Sequence, residues 1–203
     1  MPEHLEIEVK FGLDNPAPMR EALIRAGAVS HGVVSEMNIR LDSSHRQLSQ
    51  QRVVLRIRVN TAGGHKETLL TVKSPGENTG SAISIRHEYE VSVSDGGTLL
   101  EALGVLGYQP YLRYEKRRET LLLADVQIEI DETPVGWFME MEGAETAIRM
   151  LVARLGLDLA DALPYSYADL LAHAKDRFTL PTNDFTFQNL SGVEFPPGWW
   201  RSV

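Results

Sequence analysis

EIEVK, residues 6–10, alternates Glu6, Glu8 and Lys10 with Ile7 and Val9. In a β-strand successive side chains point to opposite faces, so the pentapeptide puts two carboxylates and an ammonium on one face and apolar residues on the other. The same alternation recurs at LRIRV (55–59), HEYEV (87–91), EKRR (115–118), IEID (128–131) and FMEME (138–142), each with two ionisable groups at i and i+2. Glu36, Asn38, Arg40 and Asp42 likewise stand against Met37, Ile39 and Leu41. One sheet face is therefore built almost wholly of charge.

Working outward, strand-like runs fall at roughly 4–12, 33–42, 52–60, 67–74, 84–94, 111–120, 121–132 (with a break near Asp125) and 136–142. Helical patterns cover about 16–27, 97–107, 144–156 and 164–176, the first three running into Gly27, Gly107 and Gly156, where a left-handed C-terminal cap is expected. NTAGGH (60–65) and SPGENTGS (74–81) mark loops. Strands this numerous, mostly joined without helices, predict an α+β chain with antiparallel pairing and a sheet that curls or closes.

Composition narrows the function classes. The 203 residues, 43% hydrophobic and 24% charged, suffice for essentially one domain with a substantial core. A net charge of −8 argues against holding nucleic acid on a broad positive surface, while leaving room for a local basic pocket. With no cysteine there is no disulfide framework, thiolate metal site or cysteine nucleophile. No 18-residue apolar stretch occurs, and the N-terminus enters a strand pattern without a basic start and apolar run, so a cytoplasmic protein without membrane association is expected.

An antiparallel sheet with one wet face produces such alternation without any function. Here, however, acids pair with acids (6/8, 88/90, 129/131, 140/142) and bases with bases (56/58, 116/118). Like charges neighbouring on one sheet face repel, so stability alone does not select them. Clustered carboxylates suit a hard divalent cation such as Mg²⁺ or Mn²⁺, and clustered Arg and Lys suit phosphate oxygens. A face with both fits a metal-bound polyphosphate.

At this point the chain resembles the CYTH superfamily of triphosphate tunnel metalloenzymes, which includes class IV adenylate cyclases and thiamine triphosphatases. The resemblance rests on Glu6-x-Glu8-x-Lys10, Arg56-x-Arg58, Lys73 in LTVKSP, Glu88-x-Glu90, Lys116-x-Arg118, Asp131 in EIDE and Glu140-x-Glu142, in family order over roughly residues 3–174. SYADLL (166–171) is similar to the last helix of many relatives. The resemblance implies a closed eight-stranded antiparallel β-barrel whose interior carries these charges, with helices packed outside.

It also implies roles. Glu6, Glu8, Asp131, Glu140 and Glu142 would hold one or two divalent cations, Mg²⁺ or Mn²⁺; Lys10, Arg56, Arg58, Lys73, Lys116 and Arg118 would grip the triphosphate of a small molecule. Lys73, Glu88 and Glu90 are the catalytic candidates, the two carboxylates orienting water or a basic neighbour, or balancing Arg86 and Arg58. Arg86, Arg40 and Glu129 share the presumed inner face, where structural ion pairing explains them at least as well. His65, in a Gly-rich loop, and His87, of outward parity, are poor ligand candidates.

Two departures bear on substrate. Relatives often carry an aromatic residue before Phe-Asp in the second strand, whereas this chain reads Asn38-Ile39-Arg40-Leu41-Asp42. Some class IV cyclases have a His-Phe pair several residues before the Glu-x-Glu-x-Lys motif, and here only five residues precede Glu6, which favours hydrolysis over cyclisation. The leading expectation is a metal-dependent triphosphatase acting on tripolyphosphate, thiamine triphosphate or a nucleoside triphosphate. The alternatives are a class IV adenylate cyclase, forming cyclic AMP and pyrophosphate from ATP, and a non-catalytic polyphosphate- or nucleotide-binding module. Residues 1–176 are read as the tunnel domain and 177–203 as an extension whose Phe178, Phe185, Phe187, Phe195, Trp199 and Trp200 are too many for a solvated tail. That extension is expected to pack on the barrel exterior, cover a tunnel mouth or join a homodimer interface.

Overall fold

The computed structural model describes residues 4–76 and 82–202, so residues 77–81 of the expected 74–81 loop lie outside the described residues. In chain order the elements are β1 (His4–Leu13), α1 (Pro16–Arg25), β2 (Val29–Asp42), α2 (Gln47–Gln50), β3 (Val54–Ala62), β4 (His65–Lys73), β5 (Ser84–Val93), α3 (Gly96–Val105), β6 (Gln109–Leu123), β7 (Val126–Thr133), β8 (Gly136–Glu142), α4 (Glu145–Arg154), α5 (Tyr167–Phe178) and β9 (Asp184–Phe185). Strands β1 to β8 pair antiparallel in the order β2-β3-β4-β5-β1-β8-β7-β6, and a β2–β6 ladder closes the ring. Closure removes both sheet edges and gives the alternation an inside and an outside.

Local chemistry sets the helix limits. Asn15 caps α1 by accepting from the Ala17 amide at 3.0 Å, with Pro16 supplying a preset φ at the first helical position. Ser166 and Asp169 form a reciprocal capping box on α5. Gly27, Gly107 and Gly156 sit just past α1, α3 and α4 at φ +99°, +90° and +70°. Among the described residues no helix is long and apolar enough to cross a membrane.

The outward faces are buried in sectors. Helices α1 and α4 bring Leu23, Ile148, Leu151 and Val152 onto Val9, Phe11, Ile128, Ile130, Met139 and Met141 of β1, β7 and β8. Helix α3 lays Leu99, Leu100 and Leu103 over Leu41, Leu55 and Ile57 of β2 and β3. The third cluster differs, because Phe138, Tyr114 and Leu112 share the inward parity of Glu140 and Lys116. There the inner face turns from charged to apolar, and it is covered by Tyr167, Leu170, Leu171 and Ala174 of α5 together with Phe185, Leu190, Trp199 and Trp200. The aromatic C-terminal segment thus packs on the end of the lumen formed by β1, β6 and β8. Its β9 adds a parallel rung to β6 at Arg113 and Tyr114, on the side that β7 reaches only from Arg117 onward.

Candidate active site

The lumen is a cavity of about 520 Å³. Its walls carry Glu6, Glu8 and Lys10 from β1, Arg56 and Arg58 from β3, Lys73 from β4, Glu88 and Glu90 from β5, Lys116 and Arg118 from β6, and Glu140 and Glu142 from β8. Arg40, Arg52, Arg86, Tyr114 and Glu129 line it as well, and Leu163 to Tyr167 form part of its wall. Asp131, alone of the expected site residues, does not reach the cavity surface; it lies fully buried behind Lys116 and Arg118.

Each cation that the motifs single out is held by at least one acid. Lys10 pairs with Glu140 at 2.9 Å, donates to the Tyr165 carbonyl at 3.0 Å and lies 4.5 Å from the centre of the Tyr167 ring. Lys73 bridges Glu6 at 2.5 Å and Glu88 at 3.2 Å, joining β1, β4 and β5. Arg56 reaches Glu88 at 3.5 Å and donates to the Thr71 hydroxyl at 3.2 Å, while that hydroxyl donates to Glu90 at 2.8 Å. Glu90 therefore faces Arg56 both directly and through Thr71, the arrangement of a carboxylate that orients a basic neighbour.

Arg118 is the hub. Its guanidinium grips Asp131 bidentately, Nε to Oδ1 at 2.8 Å and Nη2 to Oδ2 at 2.6 Å, and also meets Glu140 and Glu129. Asp131 Oδ2 further accepts from Lys116 at 3.1 Å and from the Tyr167 hydroxyl at 2.6 Å. Ligand-capable oxygens of Glu129, Asp131 and Glu140 come within 4.8 Å of one another, the spacing of a metal cage, but Arg118 occupies that position. Behind them Glu36, which no motif singled out, faces Lys116 at 3.4 Å and Arg58 at 3.6 Å. Burial opposes its ionisation, yet Lys116, Arg118, Arg58 and Arg56 hold its carboxyl well below the usual range.

The acids that remain open are Glu8 and Glu142. They are direct partners across the β1–β8 ladder, and neither has an ion pair or hydrogen bond among the described residues. Burial and the charges of Glu6, Glu8 and Glu88 push the Glu142 carboxyl up to about 7, against the pull of Lys73. Burial and Glu140 raise Glu8. Glu140 goes the other way: burial opposes its charge, but Lys10, Arg118 and Lys116 hold it well below the carboxylate range. Two adjacent carboxylates with unspent oxygens, Glu6 and Glu140 two residues away on either strand, form an all-oxygen donor set suited to a hard cation.

Two tyrosines also shape the site without having been singled out by the charge pattern. Tyr167 follows the α5 capping serine and stacks under Lys10 and Lys116; its place in SYADLL was the only sequence signal for it. Tyr114 reads as one more residue of a β-strand. Burial raises its phenol, but Arg56, Lys116, Arg40 and Arg58 outweigh that and hold it below its usual value.

The CYTH domain family profile matches residues 4–160, more than three quarters of the sequence. The chain belongs to the CYTH family. Its fold is similar to that of the PH1819 protein of Pyrococcus horikoshii OT3, at 26% identity over 83% of this chain and 98% of that one, with a TM-score of 0.72. A protein of Vibrio parahaemolyticus described as an adenylate cyclase candidate matches at 21% identity over 84% of this chain and 99% of its own, TM-score 0.71. An adenylyl cyclase candidate from Hippeastrum, described as revealing a dominant triphosphatase activity, matches at 20% over 85% of this chain and 96% of its own, TM-score 0.60. No curated protein matches the sequence. The match ends at Leu159-Ala160, so the segment that covers the apolar end of the lumen lies beyond the CYTH profile.

Proposed function

We propose that this CYTH protein is a divalent-metal-dependent triphosphatase that hydrolyses an inorganic or organic triphosphate inside its lumen, working in the cytoplasm. The observation that carries the reading is the pair Glu8 and Glu142, open and mutually repelling, in one cavity with Lys10, Arg56, Arg58, Lys73, Lys116 and Arg118. Residues 1–176 constitute the tunnel domain in this reading, and 177–203 the extension that packs against its apolar end.

Glu6, Glu8, Glu140 and Glu142 would hold Mg²⁺ or Mn²⁺, with Asp131 fixing the shared Arg118 from behind. The bound ion supplies neutralisation of phosphoryl charge and a more acidic water. The protein's own contribution is positioning and electrostatic stabilisation, which is most of what phosphoryl transfer demands. The six basic side chains bind non-bridging oxygens. Lys73, already shared between Glu6 and Glu88, is placed to pass between acid wall and phosphate. Glu88 and Glu90 hold Arg56 in register and offer oxygens to a water beside it.

Purified protein should be incubated with tripolyphosphate, ATP and thiamine triphosphate, with Mg²⁺, Mn²⁺ or chelator, while phosphate and cyclic AMP are both measured. Metal-dependent phosphate release without cyclic AMP supports the proposal. Cyclic AMP plus pyrophosphate from ATP replaces it with the cyclase reading, and binding without turnover of any of the three leaves a polyphosphate-binding module.

A further inference from the structure

Glu36 on β2 is nearly closed off, at 4% exposure, and is not part of the cavity wall. On the inward faces of β2, β3 and β6 the lumen is lined by Arg40, Arg56, Arg58, Lys116 and Arg118. Glu36 is the one carboxylate that these three strands turn inward, Asp42 having turned to the α2 corner. Register puts it there: Glu36 is the cross-strand partner of Lys116, and Asn38 that of Arg58.

Glu36 meets its cations differently from Asp131. Asp131 accepts hydrogen bonds from Lys116, Arg118 and Tyr167 at distances between 2.6 and 3.1 Å. Glu36 stands 3.4 Å from Lys116, 3.6 Å from Arg58 and 3.8 Å from Arg118, ion-pair distances beyond good hydrogen-bond geometry. Its side-chain hydrogen bond comes from the Asn38 amide nitrogen at 3.3 Å, and Asn38 in turn accepts from Arg58 Nε at 3.3 Å. Glu36 therefore ties no cation down; it sets a negative charge behind three of them. Burial opposes that charge, but Lys116, Arg118, Arg58 and Arg56 outweigh burial and keep the carboxyl ionised at neutral pH.

A basic wall binds polyphosphates of every kind, substrate and product alike, and binding that is equal in both does not speed the reaction. Arg58 and Arg118 keep 14% and 10% of their side chains open, whereas Lys116, at 1%, is wedged between Glu36 and Asp131. A fixed negative charge behind the two open guanidinium groups opposes an anion in front of them, and low-dielectric surroundings strengthen that opposition. We infer that Glu36 weakens the hold of Arg58 and Arg118 on polyphosphate, as a positioning residue acting through their charge, so that the diphosphate left by hydrolysis is released. This rests on the reading of the lumen as a triphosphatase site, and adds to it a residue outside the cavity wall and a control on product release.

Pyrophosphate and tripolyphosphate are titrated calorimetrically, in chelator and again with Mg²⁺, into the full chain, Glu36→Gln, Asn38→Asp and Glu119→Gln. Glu36→Gln removes the charge and keeps the acceptor for Asn38. Glu119, on the outward face of β6 and paired with Arg20 at 2.7 Å, controls for net charge. Glu36→Gln should bind both ligands at least about 10-fold tighter, and Asn38→Asp, which adds a carboxylate beside Arg58, about 10-fold more weakly. Glu119→Gln should match wild type. In turnover of tripolyphosphate with Mn²⁺, Glu36→Gln should lower KM and kcat together, through slower release. It should also melt lower without ligand, because three cations lose a counter-charge, and gain more from added pyrophosphate than wild type does. A carboxylate that serves only the fold would leave binding in Glu36→Gln unchanged or weaker, and that result overturns the inference while sparing the triphosphatase reading. Equal tightening in Glu119→Gln overturns it too, as does unchanged or tighter binding in Asn38→Asp, which tests the point with the buried acid in place. Absence of binding of either ligand to the wild type under both conditions sinks that reading and this inference with it.

Discussion

Glu8 on β1 stands directly opposite Glu142 on β8, and neither carboxylate makes an ion pair or hydrogen bond among the described residues, although lysines and arginines line the same lumen. In metal-free protein this pair is a source of instability. The Glu142 carboxyl, with a folded value of about 7, lies above its ordinary 4.5, so the folded chain binds the extra proton. Stability from that proton is fully present below pH 4.5 and is lost as pH rises through 7. The expected loss is on the order of 2 kcal/mol after allowing for solvent screening at a half-open site. Chemical denaturation in chelator between pH 5 and pH 8 checks this, and added Mn²⁺ should abolish the slope. A flat profile in chelator would show that the pair is already neutralised.

Substituting the same residues separates ligand from scaffold. Glu8→Gln and Glu142→Gln should each weaken Mn²⁺ binding at least about 10-fold and lower phosphate release by about 100-fold or more, while leaving the metal-free protein as stable as wild type or more so. Isothermal titration with Mn²⁺ alone and thermal melting in chelator read the two effects independently. Destabilisation in chelator would mean that these carboxylates serve the fold.

Asp131 should behave in the opposite way. Arg118, Lys116 and Tyr167 all direct hydrogen bonds at its two oxygens, and it is fully buried. Replacing it leaves two buried cations short of a counter-charge, a loss of about 3–5 kcal/mol for a broken buried ion pair. Asp131→Asn should therefore lower stability with or without metal, and Mn²⁺ affinity of the folded fraction should change less than in Glu8→Gln. Mn²⁺ affinity that falls as far as in Glu8→Gln, with unchanged stability, would make Asp131 a direct ligand.

Much of this was legible because alternation is local. Glu6-x-Glu8-x-Lys10 and Glu140-x-Glu142 declare their faces from neighbouring residues alone, and Gly27, Gly107 and Gly156 declare helix ends. What depends on register was not legible. That the Arg118 guanidinium fills the space between Glu129, Asp131 and Glu140 follows from the offset of β6, β7 and β8. The position of Arg40 opposite Arg56 follows from β2–β3 pairing, and nothing in either strand read alone reveals it. Strand β9 was missed because two residues carry no period; the β6 edge that β7 leaves uncovered makes it a strand. Asp42 shares the inward parity of Arg40, yet the register shift after Arg40 lets it turn to the α2 corner.

That corner yields an acid-sensitivity prediction. Asp42 accepts from the amides of Ser43, Leu48 and Ser49 at 2.8, 3.0 and 2.9 Å and from the Ser49 hydroxyl at 2.5 Å. Burial pushes its carboxyl up, but these four bonds, led by the Ser49 hydroxyl, hold it below 3.8. With a depressed folded value, its stabilisation is present above pH 3.8 and is lost as pH falls below it. Asp42→Ala should cost about 1–2 kcal/mol at pH 7 and become progressively less costly below pH 4, as double titrations with urea and acid would show. A cost independent of pH would mean that the carboxylate charge contributes nothing to this cap.

The C-terminal segment makes the last prediction, through Gly12. A Cβ at this position would fall inside the Trp200 indole, and Gly136, at φ +141°, also lies against that ring. Trp200 in turn packs on Phe138 at 5.5 Å between ring centres, and Trp199 donates its indole N–H to the Val135 carbonyl at 2.7 Å. Gly12 follows Lys10 on the inward face of β1, so the close approach of Trp200 is how the segment beyond the CYTH profile seals the apolar end of the lumen. Gly12→Ala should cost about 1–3 kcal/mol by overpacking, and Trp200→Ala about 3–5 kcal/mol by leaving a cavity. The double variant should be less destabilised than the sum, because once the ring is gone the methyl group has room. A double-mutant cycle by urea denaturation measures the coupling. Strict additivity would show that Trp200 does not occupy the space above Gly12, and the seal at that end of the lumen would have to be assigned to α5 alone.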